Sequence, residues 1–119
     1  MFILGIENRL EHLASFNGSI WLSPIYKSPM VDFGYDISDF TEIDPVFGSI
    51  ADLQSMIEKA HENGVRLVLD FIPNHSSDQH EWFQKSLKRE DPFTDFYVWV
   101  DPKGYDTDGN PIPPSNWVP

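Results

Sequence analysis

Cysteine is absent from this 119-residue chain. A disulfide framework is therefore excluded, and the redox compartment leaves no mark on the sequence. Basic residues are scarce. Only 8 Lys and Arg stand against 19 Asp and Glu, for a formal net charge of -11. No basic patch is left to neutralise a phosphate backbone, which argues against a nucleic-acid partner. No apolar run approaches the length of a membrane span. Met1-Phe-Ile-Leu4 is apolar, but it lacks the basic start and the length of a signal peptide. The nucleophile elbow, the P-loop and the dinucleotide fingerprint are missing as well.

What remains is a globular composition, 40% hydrophobic and 14% aromatic, sufficient for one modest domain. Ile6, Leu10 and Leu13 share one helical face, so the spacing predicts a helix over 5–16, ended by Asn17-Gly18. Ser19-Ile-Trp-Leu-Ser23 does not alternate and reads as a buried strand. Residues 25–48 have no sustained period and read as a long loop, the kind that is often functional. Ser49 with Asp52 reads as a helix start, Leu53, Met56, Ile57 and Ala60 form the stripe, and Asn63-Gly64 closes it. Val65 to Ile72 reads as a second buried strand. A short helix is expected over Glu81 to Leu87 and an edge strand over Phe96 to Trp99. The remainder is turn-rich. Helices alternating with strands imply an α/β fold with parallel pairing. Two strands neither close a barrel nor make a stable sheet alone. Unpaired edges are expected to leave such a chain prone to aggregation.

Two segments carry chemistry, each where a strand gives way to a loop. The first is Asp32-Phe-Gly-Tyr-Asp36. Carboxylates accept hydroxyl protons of a sugar, and an aromatic ring covers its C–H face. By composition alone, an Asp-Gly turn with a packed tyrosine is the favoured explanation of this segment. The second is Asp70-Phe-Ile-Pro-Asn-His75. Asp70 lies in an apolar run and must be paired or hydrogen-bonded there. His75 offers a donor and an acceptor, against the plainer option of a structural histidine. One His with scattered carboxylates lacks the ligand spacing of zinc or EF-hand sites. Trp82, Phe83, Phe96, Tyr97, Trp99 and Trp117 read as core by default. Asn17-Gly-Ser19 and Asn74-His-Ser76 are glycosylation triplets of low specificity.

Taken together, these motifs resemble the α-amylase superfamily of glycoside hydrolases, family thirteen, and within it the maltase-like α-glucosidases. Ile20-Trp-Leu-Ser-Pro-Ile-Tyr-Lys-Ser-Pro29 is similar to the second barrel strand and its exit. Asp32-Phe-Gly-Tyr-Asp-Ile-Ser-Asp39 is similar to the substrate-site motif that follows. Asp70-Phe-Ile-Pro-Asn-His-Ser-Ser-Asp78 is similar to the family's first conserved region, on the third strand. His80-Glu-Trp-Phe83, Asp95-Phe-Tyr-Val-Trp99 and Pro113-Pro-Ser-Asn-Trp117 resemble the start of the domain inserted after it. The implied fold is a partial (β/α)8 TIM barrel over 1–78, roughly helix 1, strand 2, helix 2 and strand 3, with the inserted domain beginning over 79–119.

The resemblance implies that Tyr35 stacks on the sugar at the scissile position. It implies that Asp32 and His75 bind hydroxyls of a terminal glucose, and that Asp70 orients a downstream arginine, with Asn74 and Asp36 supporting the site. Asn74 binds calcium in some members, but the maltase-like group generally lacks that arrangement, so no metal or cofactor is expected. The implied partners are an oligosaccharide or disaccharide substrate and the missing remainder of the barrel, and the implied location is secreted or membrane-anchored outside the cell. The family's aspartate nucleophile and glutamate acid–base lie on the fourth and fifth strands, so no catalytic residue is expected in this chain, which by itself is expected to be inactive. Two departures stand out: the link at Asn17-Gly-Ser19 is about one residue short, and Ser115 replaces a usual asparagine. The alternative function is the non-catalytic ectodomain of an amino-acid transporter heavy chain.

Overall fold

The structure is a computed structural model that describes residues 2–116. The chain opens with two short helices, α1 (Phe2–Glu7) and α2 (Leu10–Ala14). The single helix expected over 5–16 is broken between them. The Arg9 N–H donates to the Ile6 carbonyl at 2.8 Å, a tighter turn than the α-helical one. The break lets Glu7 turn inward, where it is buried and pairs with Lys59. Leu10 is buried as the spacing predicts, while Ile6 and Leu13 are half-buried. At the end of the segment it is Asn17, not Gly18, that takes the left-handed conformation, at φ 50°. Asparagine tolerates that region better than most residues.

Strand β1 (Ser19–Leu22) pairs in parallel with the later strand Arg66–Leu69, with Ile20 opposite Leu67 and Leu22 opposite Leu69. The parallel pairing expected from the element order is therefore present. The expectation of a fully buried β1 is not met: Trp21 is 62% exposed. Only one face of this two-stranded sheet is covered.

The segment read as a long loop contains an antiparallel pair, β2 (Tyr26–Lys27) with β3 (Asp39–Ile43). Irregularity between Tyr26 and Lys27 interrupts its register, which hides its period in the sequence. Helix α3 (Ile50–Glu62) follows. Its capping box is complete: Ser49 Oγ accepts from the Asp52 N–H at 3.2 Å, and Asp52 Oδ2 accepts from the Ser49 N–H at 2.8 Å. Gly64, at φ 69°, ends the helix and returns the chain to the sheet, where the Val65 N–H donates to Ala60. The next strand, β4 (Arg66–Leu69), is shorter than the apolar run 65–72 suggests.

The core lies between the helices and one face of the sheet. Ile3, Leu22, Ile25, Ile43 and Met56 form one cluster, and Leu10, Ala60 and Val65 another. Beyond β4, helix α4 (Glu81–Leu87) forms over the residues expected of it. A 3₁₀ turn occupies Phe93–Asp95, and the edge strand expected over 96–99 does not form. Its aromatics fold back onto α4 instead. The Trp99 indole N–H donates to Ser86 Oγ at 2.8 Å, and Phe83 meets Tyr97 edge-on at 5.1 Å. A small hairpin of β5 (Gly104–Tyr105) and β6 (Pro111–Ile112) completes the described chain, turning at Gly109.

Two outcomes are expected. Ser49→Ala removes the cap of α3 and lowers stability by about 1 kcal/mol, measured by urea unfolding followed in the far ultraviolet. The Lys59 ammonium beside Glu7 holds that carboxyl below its usual value despite burial. A lowered folded-state pKa gives stability present above about pH 4.5 and lost as pH falls through that region. Glu7→Gln therefore flattens the acid limb of a pH–stability profile and leaves its neutral-to-alkaline limb unchanged in shape.

Candidate functional site

Both segments singled out in the sequence leave the same end of the β1–β4 ladder. The loop after β1 is wound tightly. Met30, Phe33 and Gly34 all have positive φ, at 59°, 52° and 96°. At Gly34 a Cβ would lie 3.5 Å from the Pro24 carbonyl in a conformation that other residues rarely adopt. Asp36 holds this winding in place. Its Oδ1 accepts from the Ser28 hydroxyl at 2.7 Å and its Oδ2 from the Val31 N–H at 2.9 Å. Burial pushes the Asp36 pKa up, but these donors outweigh it and leave the carboxyl below its ordinary value. Asp36 is thus committed to the loop. Tyr35 follows a turn in which its N–H donates to the Asp32 carbonyl at 2.9 Å.

The exit of β4 brings Asp70 up to Tyr35. The Asp70 N–H donates to the Leu22 carbonyl at 3.2 Å, extending the ladder by one step. The Tyr26 hydroxyl donates to the Asp70 carbonyl at 3.1 Å, tying β2 to the same point. Asp70 Oδ1 accepts from the Phe71 N–H at 3.1 Å. The Asp70 carboxylate, then burial, then the negative charge of Asp32 raise the Tyr35 phenol above its ordinary value near 10. Even so, Asp70 Oδ2 is buried and no hydrogen bond of ordinary geometry closes onto it among the described residues. The phenol feels the carboxylate without satisfying that oxygen.

His75 closes the group. Its Nε2 lies 3.0 Å from the Tyr35 carbonyl. A carbonyl only accepts, so Nε2 carries the proton and, in the neutral ring, Nδ1 is the acceptor. The ring therefore turns an acceptor, not a donor, toward a ligand. The loops are also joined through the Ser77 N–H, which donates to the Ile37 carbonyl at 2.8 Å. Asp32, Tyr35, Asp70 and His75 are thus brought together, with Asp32 and His75 exposed and Tyr35 and Asp70 half-buried. Asn74 is exposed and lines an adjoining cleft of about 380 Å³.

That cleft contains residues not singled out in the sequence. Phe40 from β3 and Phe71 from the β4 exit form part of its wall. Phe40 was hidden because its strand lay in a segment without period. Trp82, Phe96 and Tyr97 face the cleft as well, and Tyr97 meets the Ser76 hydroxyl at 2.5 Å. Phe83 of α4 and Trp99 meet at 5.4 Å between ring centroids, and both are half-buried. Trp117 lies outside the described residues. A larger groove of about 560 Å³ runs along α1 and α2, but its wall is mainly apolar and carries no carboxylate. No group of three or more His, Asp or Glu among the described residues is placed to hold a metal. The Tyr35–Asp70 pairing is checked by titrating phenol absorbance: one tyrosine is expected to ionise above pH 10, and Asp70→Asn returns it toward the ordinary value.

Residues 3–119 match the family model of the alpha amylase catalytic domain. An alpha-glucosidase of Apis mellifera is 51% identical over 98% of this chain, which covers 20% of that protein. The amino acid transporter heavy chain SLC3A1 of Rattus norvegicus is 42% identical over 96% of this chain, which covers 16% of it. Among solved structures, the alpha-glucosyl transfer enzyme XgtA superposes with a TM-score of 0.86 at 44% identity, over 98% of this chain and 21% of that one. The chain thus spans about a fifth of the length of the glucosidase it matches. Its α/β architecture is part of a (β/α)8 barrel, shared with solved enzymes of that fold. The chain belongs to the alpha amylase catalytic-domain family.

Proposed function

We propose that this chain is the glucose-holding part of a retaining, maltase-like α-glucosidase. The observation that carries the proposal is the convergence of Tyr35, Asp70 and His75 from two strand exits onto one point. In this reading Tyr35 covers the apolar face of a terminal glucose. Asp32 accepts its hydroxyl protons through charge-assisted hydrogen bonds. His75 accepts at Nδ1 and holds Tyr35 through its other nitrogen. Asp70 supports the ring from behind and keeps one buried oxygen for a donor supplied elsewhere, for which an arginine is suited. Asp36 and Asn74 shape the loops around it.

Residues 1–78 then form part of the barrel, and 79–119 begin a domain inserted after β4. Bond breaking needs two carboxylates about 5–5.5 Å apart, one attacking and one transferring the proton. No residue described above is given either role. The names of the honeybee protein and of XgtA both concern an α-linked glucosyl unit, which supports a substrate of that class. The heavy-chain relative is less similar, and the intact grouping of Tyr35, Asp70 and His75 favours the enzyme.

The test is expression of the full reading frame and assay with a chromogenic α-glucoside. Turnover is expected, and Asp32→Asn lowers kcat/KM by about tenfold to a hundredfold, the cost of one charged hydrogen bond. A folded full-length protein without turnover returns the reading to the transporter type. The 119-residue chain alone is expected to show no turnover. Clear hydrolysis by it would mean that its own carboxylates break the bond.

A further inference from the structure

His80 lies at the join between the barrel part and the segment that follows it, outside the sugar-holding group. It is only 7% exposed. Its ring stands between two aromatic side chains: Phe40 at 5.6 Å between centroids and Trp82 at 4.9 Å. Both of those rings line the 380 Å³ cleft beside Asn74 and His75. His80 is also the N-cap of α4, where its Nδ1 accepts from the Trp82 N–H at 3.0 Å. One imidazole therefore fixes the backbone of Trp82, the ring of Trp82 and the ring of Phe40.

We propose that His80 is the positioning residue of the cleft's aromatic wall, acting through a neutral ring whose Nδ1 must remain an acceptor. Protonation would put a hydrogen on Nδ1 and turn the acceptor into a second donor facing the Trp82 N–H. The cap would open and Trp82 would lose its anchor. The groups facing the ring are Asp39 from β3 and Glu81 from α4, both of which favour the cation. Lys27 is the register partner of Asp39 across the hairpin and helps to keep the Asp39 carboxyl below its ordinary value. Burial outweighs the carboxylates and keeps the ring neutral below its ordinary value of 6.5. The wall is thus held at neutral pH and released in acid. Only the identity of the occupant, a sugar, rests on the function proposed above.

The experiment uses the whole chain and reads Trp82, not turnover, so it fails or succeeds independently of the glucosidase reading. Tryptophan emission is followed from pH 8 down to 5. A red shift of the emission is expected, centred below about 6.5, because Trp82 leaves the His80 ring and meets water once the cap opens. Trp82→Phe and His80→Asn should both abolish the transition. Asparagine still caps the helix, so the far-ultraviolet signal of His80→Asn should be retained. A transition that survives in His80→Asn overturns the proposal, as does a wild-type chain with none. A second measurement needs no variant. Long-range ¹H–¹⁵N spectra at pH 8 should show the Nε2–H tautomer for His80, and an Nδ1–H tautomer would refute the arrangement.

Discussion

Ile20 and Leu67 are register partners in the parallel ladder, and each packs against both hydrophobic clusters. The rest of the structure depends on that pairing. On the covered face it receives Met56 and Ala60 from α3, which positions the helix over both strands. Parallel strands point the same way, so the two exit loops emerge at one end. The ladder's last step, from the Asp70 N–H to the Leu22 carbonyl, sets the height at which Asp70 meets Tyr35. A slip of one residue would send Leu67 and its neighbours to the opposite face and carry Asp70 away from the phenol.

The electrostatics of the site follow from partial satisfaction. Asp36 has donors on both oxygens and serves the loop. Among the described residues, Asp70 has a donor on one oxygen only and leaves the other buried. Two carboxylates close in sequence chemistry therefore differ in what they can still accept. An unpaired buried acceptor is costly. Its retention beside Tyr35 marks a point that remains open to a further donor.

The outline of the chain reflects its uncovered face. Its radius of gyration is 19.8 Å, against about 13.5 Å for a compact chain of this length. Trp21 and Val68, register partners in the ladder, are both exposed on that face. Large apolar side chains in register suit a covered sheet. Elongation also separates α4 and its aromatics from the two clusters under the sheet, joined through Phe40, His80 and the Ser76–Tyr97 contact.

Local rules determined much of this in advance. The cap of α3, its glycine stop and the extent of α4 are short-range matters of hydrogen bonding and chain freedom, and each is legible in Ser49, Asp52, Gly64 and Glu81 to Leu87. The site residues were legible as types, since carboxylate, phenol and imidazole sit at strand exits. Three things were decided only in the tertiary structure. The β2–β3 pair needed a partner twelve or more residues away and an irregular register, which leaves no period to read. The break after α1 goes with the Glu7–Lys59 pair to α3, a contact that spacing within 5–16 does not show. The role of each site group was set by its neighbours: Asp36 bound to its loop, Asp70 half-satisfied, and His75 donating to Tyr35. Residue type fixes what a group can donate or accept, but only its surroundings determine which of those capacities are already used.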